Sequence, residues 1–406
     1  MTAATAEQSF LRAPGALVAL LVATSVLGML GVSSFSALLP SFERLWGLSH
    51  TESGWISGIF FAGYVAAVPL LVGATDRLDP RRIYLASLVI GAVAALGYAF
   101  LAQGFWTACG FRALAGIGLA GTYMPGLKLM TDRTEGPKQS RYVAFYTGGF
   151  SLGTAVSFAF TGEVAQWLGW RTAFAAGAAG SALAFFLIRR FIAPTPRVAP
   201  LAVPAPFLDF RPVLRNRAAM AFVFGYTGHV WELFALRAWL VAFLLHAATA
   251  AGDRSGIASV NWLATVIVLL STLASLYGAE LAARADRRRV IGRIMILSVL
   301  AAAATGLSPG LPLSVVVAFC LAYNMIIMAD SAALTGGAVL AAMPGQRGAT
   351  LAVHTVLGFS GAFLGPLAVG TVMDLAGGEG SGIAWARGFL TMGLGSAAAL
   401  LAIRRL

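Results

Sequence analysis

The chain has 406 residues, 59% of them hydrophobic and only 11% charged, with a mean hydropathy of +0.82. Soluble domains carry roughly 25% charged residues, so a soluble fold is excluded. The net charge of +12 would suit nucleic acid only as a solvated basic face, whereas the cations here cluster between apolar runs.

A bilayer-spanning helix needs about 20 apolar residues. Runs of that length, separated by charged or Pro/Gly clusters, fall at 14–40, 53–75, 83–103, 105–127, 142–165 and 170–188, then at 218–245, 257–282, 291–308, 311–341, 349–376 and 383–403. The expected fold is an all-α membrane protein of twelve transmembrane helices in two six-helix bundles, residues 1–188 and 218–406. The linker 189–217 between them holds six prolines and six arginines and cannot continue a helix. In this topology 22 of the 28 Lys and Arg lie on one side. The positive-inside rule makes that side the cytoplasm, with both termini there and the chain in a bacterial inner membrane.

The first run is too long and too rich in glycine for a cleaved signal peptide, so we read it as span 1. After span 2 comes the basic turn Gly73-Ala-Thr-Asp76-Arg77-Leu-Asp79-Pro80-Arg81-Arg82. Span 4 carries Arg112, Tyr123 and a GxGxxG pattern, Gly116 to Gly121. A dinucleotide site needs a strand before such a pattern; inside a span the glycines point to close helix packing. Span 5 holds Gly149-Phe150-Ser151-Leu152-Gly153, which matches GxSxG but has no strand-to-helix turn and no acid–His pair to activate Ser151. Span 6 opens with Gly169-Trp170-Arg171-Thr-Ala-Phe174.

In the second half, span 7 carries His229, Glu232 and Arg237. At 100° per residue, Glu232 lies about 60° to one side of His229 and Arg237 about 80° to the other, a single broad face. A second basic turn, Asp286 to Arg289, follows span 8. Span 10 carries Tyr323, Asn324, Asp330, Ser331 and Thr335, with Met325, Met328 and Cys320 nearby. Span 11 contains Gly358 to Gly377 (GFSGAFLGPLAVGTVMDLAG), which aligns with Gly149 to Gly169 (GFSLGTAVSFAFTGEVAQWLG) in span 5. An internal repeat half a chain apart means two halves of one plan in the same orientation. Cys109 and Cys320 fit no metal spacing and read as packing residues, as do His354, Trp231 and Trp239. No ATP-binding loop, metal-hydrolase motif or cofactor site is written in the chain, so no cofactor, metal or enzymatic activity is expected.

These motifs resemble those of the major facilitator superfamily of secondary transporters. Asp76-Arg77 and Arg81-Arg82 match the Asp-Arg and terminal basic pairs of its turn between helices 2 and 3, with Asp79 in a glycine place and one residue added. Arg112 to Gly118 resembles its helix-4 R-x-x-x-G-x-G, and Gly169 to Phe174 its G-W-R-x-x-F. Of the antiporter signature in helix 5, Gly149 and Gly153 fit, while Thr154 stands where that signature has proline. The resemblance implies that helices 1, 4, 7 and 10 line a central cavity, and that Asp76, Arg77, Arg81 and Arg82 brace the halves during gating.

An ionisable group inside the membrane costs several kcal/mol unless it is paired or faces water. We therefore expect Glu232 and Asp330 to carry coupling protons. Arg112, Tyr123, His229, Arg237, Tyr323, Asn324 and Ser331 are expected to bind substrate, the guanidiniums holding an anionic group. The expected function is proton-coupled alternating-access transport of a small polar or anionic organic solute by a monomer in the lipid bilayer, with no nucleic acid partner. Efflux of amphipathic drugs, and a non-transporting receptor or assembly factor on the same fold, are the alternatives.

Overall fold

The structure, a computed structural model, describes residues 14–75, 77–136, 138–194, 210–378 and 380–404. The first thirteen residues, Asp76 and most of the expected linker therefore lie outside the described residues. Among those described, every element is a helix. Span 1 is made of α1 (Pro14–Gly28), α2 (Ser34–Ala37) and α3 (Leu39–Trp46). Spans 2 to 4 are α4 (His50–Ala74), α5 (Pro80–Leu101) and α6 (Phe105–Thr131), and spans 5 and 6 form the single element α7 (Gln139–Phe191). After the short α8 (Arg211–Arg215), spans 7 to 12 are α9 (Arg217–Ala250), α10 (Arg254–Arg284), α11 (Arg287–Gly306), α12 (Leu313–Leu340), α13 (Arg347–Leu375) and α14 (Gly382–Arg404). Nine of the described helices are long and apolar enough to cross a membrane, α7 being long enough for two passes. The short α1 and the charge-bearing α6 complete the twelve.

Two spans depart from a plain helix, each for a local reason. Span 1 unwinds over residues 29–33. Lipid offers no partner to freed backbone groups, and here α7 supplies them: Ser157 Oγ donates to Leu30 O at 2.7 Å and accepts from Ser33 N at 2.9 Å, while Ser33 Oγ donates to Thr154 O at 3.1 Å. In α7 the break is Gly169, at φ 83° and ψ 162°, a conformation essentially confined to glycine. Beyond it Trp170 and Phe174 pack on Tyr98 of α5, the Phe174 ring stacked at 4.1 Å.

Asp and Asn side chains start several helices by accepting a backbone N–H. Asp79 caps α5 through Arg81 N at 3.0 Å, Asp286 caps α11 through Arg289 N at 2.9 Å, and Asn216 caps α9 through Ala219 N at 3.1 Å. Asp253 caps α10, and the Gly256 N–H with the Ser255 hydroxyl holds its carboxyl below the usual carboxylate range. The two basic turns thus share a device, with Asp79 and Asp286 in the same role. Gly118 and Gly121 of the GxGxxG run face Gly91 and Ser87 of α5, where a side chain would collide.

The described residues gather into two units, one within Met1–Ser34 and Gly63–Phe207, the other within Phe35–Ala62 and Leu208–Leu406. The division passes through α4. The first unit is built around Leu21, Tyr84, Leu129, Tyr146 and Ile188, the second around Ile291, Met295, Leu334 and Ile403.

Because a β-carbon at Gly169 meets no atom within 4 Å, Gly169→Ala tests backbone strain without a clash. It should cost about 1–3 kcal/mol, read as a lower thermal unfolding midpoint in detergent. An unchanged midpoint would mean that the break does not depend on glycine.

Candidate functional site

In the second unit the long, mostly buried α9 carries three ionisable groups, each of which reaches α12. His229 points to α12, where its Nδ1 lies 2.7 Å from Asp330 Oδ1, both groups almost wholly buried. The His229 ring stacks on Tyr226 one turn earlier, with centroids 5.5 Å apart and planes 20° apart. On its other side Tyr226 stacks at 3.9 Å on His354 of α13. Three rings thus form a column beside Asp330. Thr335 Oγ1 donates to Ser331 O at 3.1 Å and lies 3.2 Å from His354 Nε2. With its proton used on Ser331, that hydroxyl accepts from His354, which places the ring proton on Nε2 and leaves Nδ1 a buried lone pair with no partner.

Arg237 lies two turns beyond His229, only 5% exposed. Its Nη2 meets the Met328 sulfur at 3.9 Å, and its guanidinium stands 5.6 Å from the centre of the Phe234 ring. Among the described residues no carboxylate pairs with it, and its Nε has no partner. The Phe234 ring belongs to an aromatic trio with Phe61 and Phe359, at 4.3 Å and 5.7 Å from its centroid.

Glu232 turns away from this pair, into the bundle, and is fully buried. Its Oε1 accepts from Tyr323 Oη of α12 at 2.7 Å and from Ser298 Oγ of α11 at 3.0 Å, and its Oε2 is bonded to Ser396 Oγ of α14. One carboxyl therefore ties four helices together. Tyr323 is spent on it. Asn324 is also fully buried and donates to Ser271 Oγ of α10 at 3.1 Å. Ser331 lies half-buried.

In the first unit, Arg112 is buried and donates from Nη1 to Val32 O at 3.1 Å, within the unwound part of span 1. Tyr123 is half-buried, stacked with Tyr146 at 6.0 Å and edge-on to Phe150 at 5.2 Å. At the basic turn Arg77 and Arg82 are exposed, and Arg81 Nη2 donates to Arg189 O at 3.0 Å, near the end of α7. Arg133 does the same for Ala193 O at 2.8 Å; burial pulls its guanidinium below its usual range, and Asp79 and Asp132 oppose that. Asp76 lies outside the described residues.

The structure therefore brings together His229 with Asp330 and Glu232 with Tyr323, and turns Asn324 towards α10. Tyr226 and His354 join the site without having been singled out as binding residues. Tyr226 was legible, since it lies three residues before His229 on the same helix face, whereas His354 stands on another helix with nothing local to mark it. Cys109 and Cys320 are buried, and the described residues contain no group of three His, Cys, Asp or Glu able to hold a metal ion.

Comparison with known proteins agrees with this architecture. A profile described as the Major Facilitator Superfamily matches residues 21–252. A probable sphingolipid transporter, spinster homolog 1 of Arabidopsis thaliana, is 26% identical over 152 residues, 37% of this chain and 30% of that protein. Protein spinster homolog 1 of Homo sapiens is 22% identical over 247 residues, 58% of this chain and 47% of that one. The matched region thus spans less than half the length of either relative. The crystal structure of a bacterial homolog of the human lysosomal transporter Spinster, inward-facing and unoccupied, shares the fold with a TM-score of 0.80 at 15% identity, over 96% of this chain and 97% of that one. With more than half of its length matched by the family profile, the chain belongs to the major facilitator superfamily, whose multi-pass membrane fold it shares.

Proposed function

We propose that the protein is a proton-coupled secondary transporter of a small organic anion with an apolar body, working by alternating access between the halves 1–188 and 218–406. The observation that carries this reading is Arg237, a guanidinium nearly fully buried with sulfur and an aromatic ring beside it and, among the described residues, no carboxylate in an ion pair with it. A buried charge without a counter-charge is strongly destabilising, so the position makes sense when the substrate brings the anion. The planar fork of donors suits a carboxylate or phosphate, and Phe61, Phe234 and Phe359 suit an apolar portion next to it. Relatives named as sphingolipid transporters are compatible with a solute that is charged at one end only.

Coupling we assign to Asp330 with His229. With one proton between them the pair is neutral overall; a second makes it cationic, and a cationic pair in the same unit as Arg237 favours the anion. Proton and anion therefore assist each other's binding. Glu232, saturated by three hydroxyls, braces α9, α11, α12 and α14 and holds Tyr323 in place. Arg112 braces the unwound part of span 1, and the turn Asp76, Arg77, Arg81 and Arg82 is the proposed cytoplasmic gate. We further place the protein in a bacterial inner membrane, as a monomer with both termini in the cytoplasm, on the one-sided distribution of Lys and Arg.

In proteoliposomes, Asp330→Asn should abolish accumulation driven by a pH gradient while leaving substrate exchange. Glu232→Gln should keep gradient-driven accumulation, and Glu232→Leu should fail to fold, since each hydroxyl left without its acceptor costs about 1–3 kcal/mol. Loss of coupling in Glu232→Gln with normal Asp330→Asn would transfer the coupling role to Glu232. Arg237→Lys keeps the charge and loses the paired donors, so KM should rise about tenfold or more at normal expression; an unchanged KM would remove the anion from the proposal. Cysteines placed at Ser49 and Gly380 should react with an impermeant reagent from outside and one at Pro200 should not, and outside labelling at Pro200 would reverse the topology.

A further inference from the structure

The N-terminus of α4 is capped in two parts. The first is local. Ser49 and Glu52 form a reciprocal box, with Glu52 N donating to Ser49 Oγ at 3.1 Å and Ser49 N to Glu52 Oε2 at 2.9 Å. Ser53 N then reaches Ser49 O at 3.0 Å and the helix is under way. Between these donors, the N–H groups of His50 and Thr51 point out of the N-terminal end of the helix, and no side chain in the local sequence answers them. Asp374, near the end of α13, does so from 324 and 323 residues away: its Oδ1 accepts from His50 N at 3.0 Å and its Oδ2 from Thr51 N at 2.8 Å and Thr51 Oγ1 at 2.6 Å. A carboxylate on two backbone N–H groups at a helix start is also favoured by the helix dipole.

Three features make this contact more than a surface bond. Below it, α4 and α13 meet along a seam with no room for side chains, where β-carbons on Gly54 and Gly58 would collide with the carbonyls of Pro366 and Phe363, and one on Gly370 with that of His50. The His50 ring is held from the other side by Glu43 of α3, Nδ1 to Oε1 at 2.9 Å, and meets the edge of Trp239 at 5.8 Å. Finally, the division between the two units runs through α4, whose N-terminal half belongs with α13 while Gly63 packs in the other unit against the Ala113 carbonyl of α6. Up to Pro69 the helix has no proline at which to bend. The helix is thus held by different elements along its length, its N-terminal half by α13 and Gly63 by α6.

We propose that Asp374 is a detachable cap, and that docking of the N-terminal half of α4 on α13 is made and released during transport, with the Asp374 carboxylate setting the lifetime of the docked state. The seam is glycine-lined and close-packed, and the two N–H groups exposed on release are hydrated at the helix end. The cap thus acts as a latch whose strength depends on one side chain. This rests on the transporter reading but not on the choice of substrate or proton carrier.

Amide hydrogen exchange on the purified full chain, without substrate or gradient, tests it. Asp374→Asn leaves one carbonyl acceptor for three donors. It should speed exchange at His50 and Thr51 about tenfold, equivalent to about 1.4 kcal/mol, with residues 64–74 of the same helix unchanged. Thr51→Ala, which removes only the hydroxyl contact, should give a smaller rise and covers the case in which Asp374→Asn does not fold. In a Cys109→Ser, Cys320→Ser background, alkylation of a cysteine at the buried Ser57 should speed up in the same order. Exchange and alkylation that are indifferent to both substitutions, or exchange raised equally along the whole of α4, would overturn the latch. If these shifts appear while Arg237→Lys and Asp330→Asn transport normally, the latch stands and the substrate assignment falls.

Discussion

A chain in lipid has no water to complete its hydrogen bonds, and this constraint decides where the structure allows irregularity. Every departure from helix within the spans is answered by a side chain placed for it. The unwound residues 29–33 are met by Ser157, Ser33 and Arg112, and the start of α4 by Asp374. Hydroxyl groups do most of this, because a serine or threonine carries both donor and acceptor at little desolvation cost. Carboxylates are used where a helix start offers two or more N–H groups at once.

The same constraint sorts the buried charges into two kinds. Glu232 accepts from three hydroxyls on three other helices, so the bundle itself supplies its partners. Among the described residues His354 Nδ1 and Arg237 Nε lack a hydrogen-bond partner, while His229 Nδ1 and Asp330 Oδ1 have only each other, at 2.7 Å. Incompletely satisfied groups are costly in a static bundle, and those beside α9, α12 and α13 are the ground on which a ligand or proton is proposed to complete the network there.

Much of the fold was legible from hydropathy and punctuation alone. Twelve apolar runs and Gly169 as the opening of span 6 follow from physics that acts within about twenty residues, while most of the Pro- and Arg-rich linker lies outside the described residues. The direction of Glu232 did not follow. An arc of about 140° holding His229, Glu232 and Arg237 is wide enough to face different neighbours, and only packing decides which edge of the arc meets α11 and α14. The pairing of Asp374 with His50 and Thr51 was invisible for another reason. The Ser49–Glu52 box reads as a finished helix start, so nothing in the sequence announces that two donors are left over.

The internal repeat shows how one scaffold carries unequal chemistry. In the first half the repeated segment packs on span 1, where Gly149 meets Val22 and Gly153 meets Met29. In the second half its counterpart packs on span 7, where Gly358 meets the Tyr226 ring and Gly361 and Gly365 meet the backbone of Thr227 and Trp231. The glycines thus preserve the same helix pair in both halves. What fills the space beside that pair differs: Ser33, Ser34, Ser157 and Thr161 hydrogen-bond one another across it in the first, and His229, Tyr226 and His354 stack across it in the second. Hydroxyl pairs of fixed partners hold the unwound backbone in the first half, whereas the stacked rings of the second half flank the buried His229–Asp330 pair. Glycine leaves the room in both halves, taken by the Val22 and Met29 side chains in the first and by the Tyr226 ring and the backbone of Thr227 and Trp231 in the second, so the same helix pair recurs while the stacked His229, Tyr226 and His354 rings belong to the second.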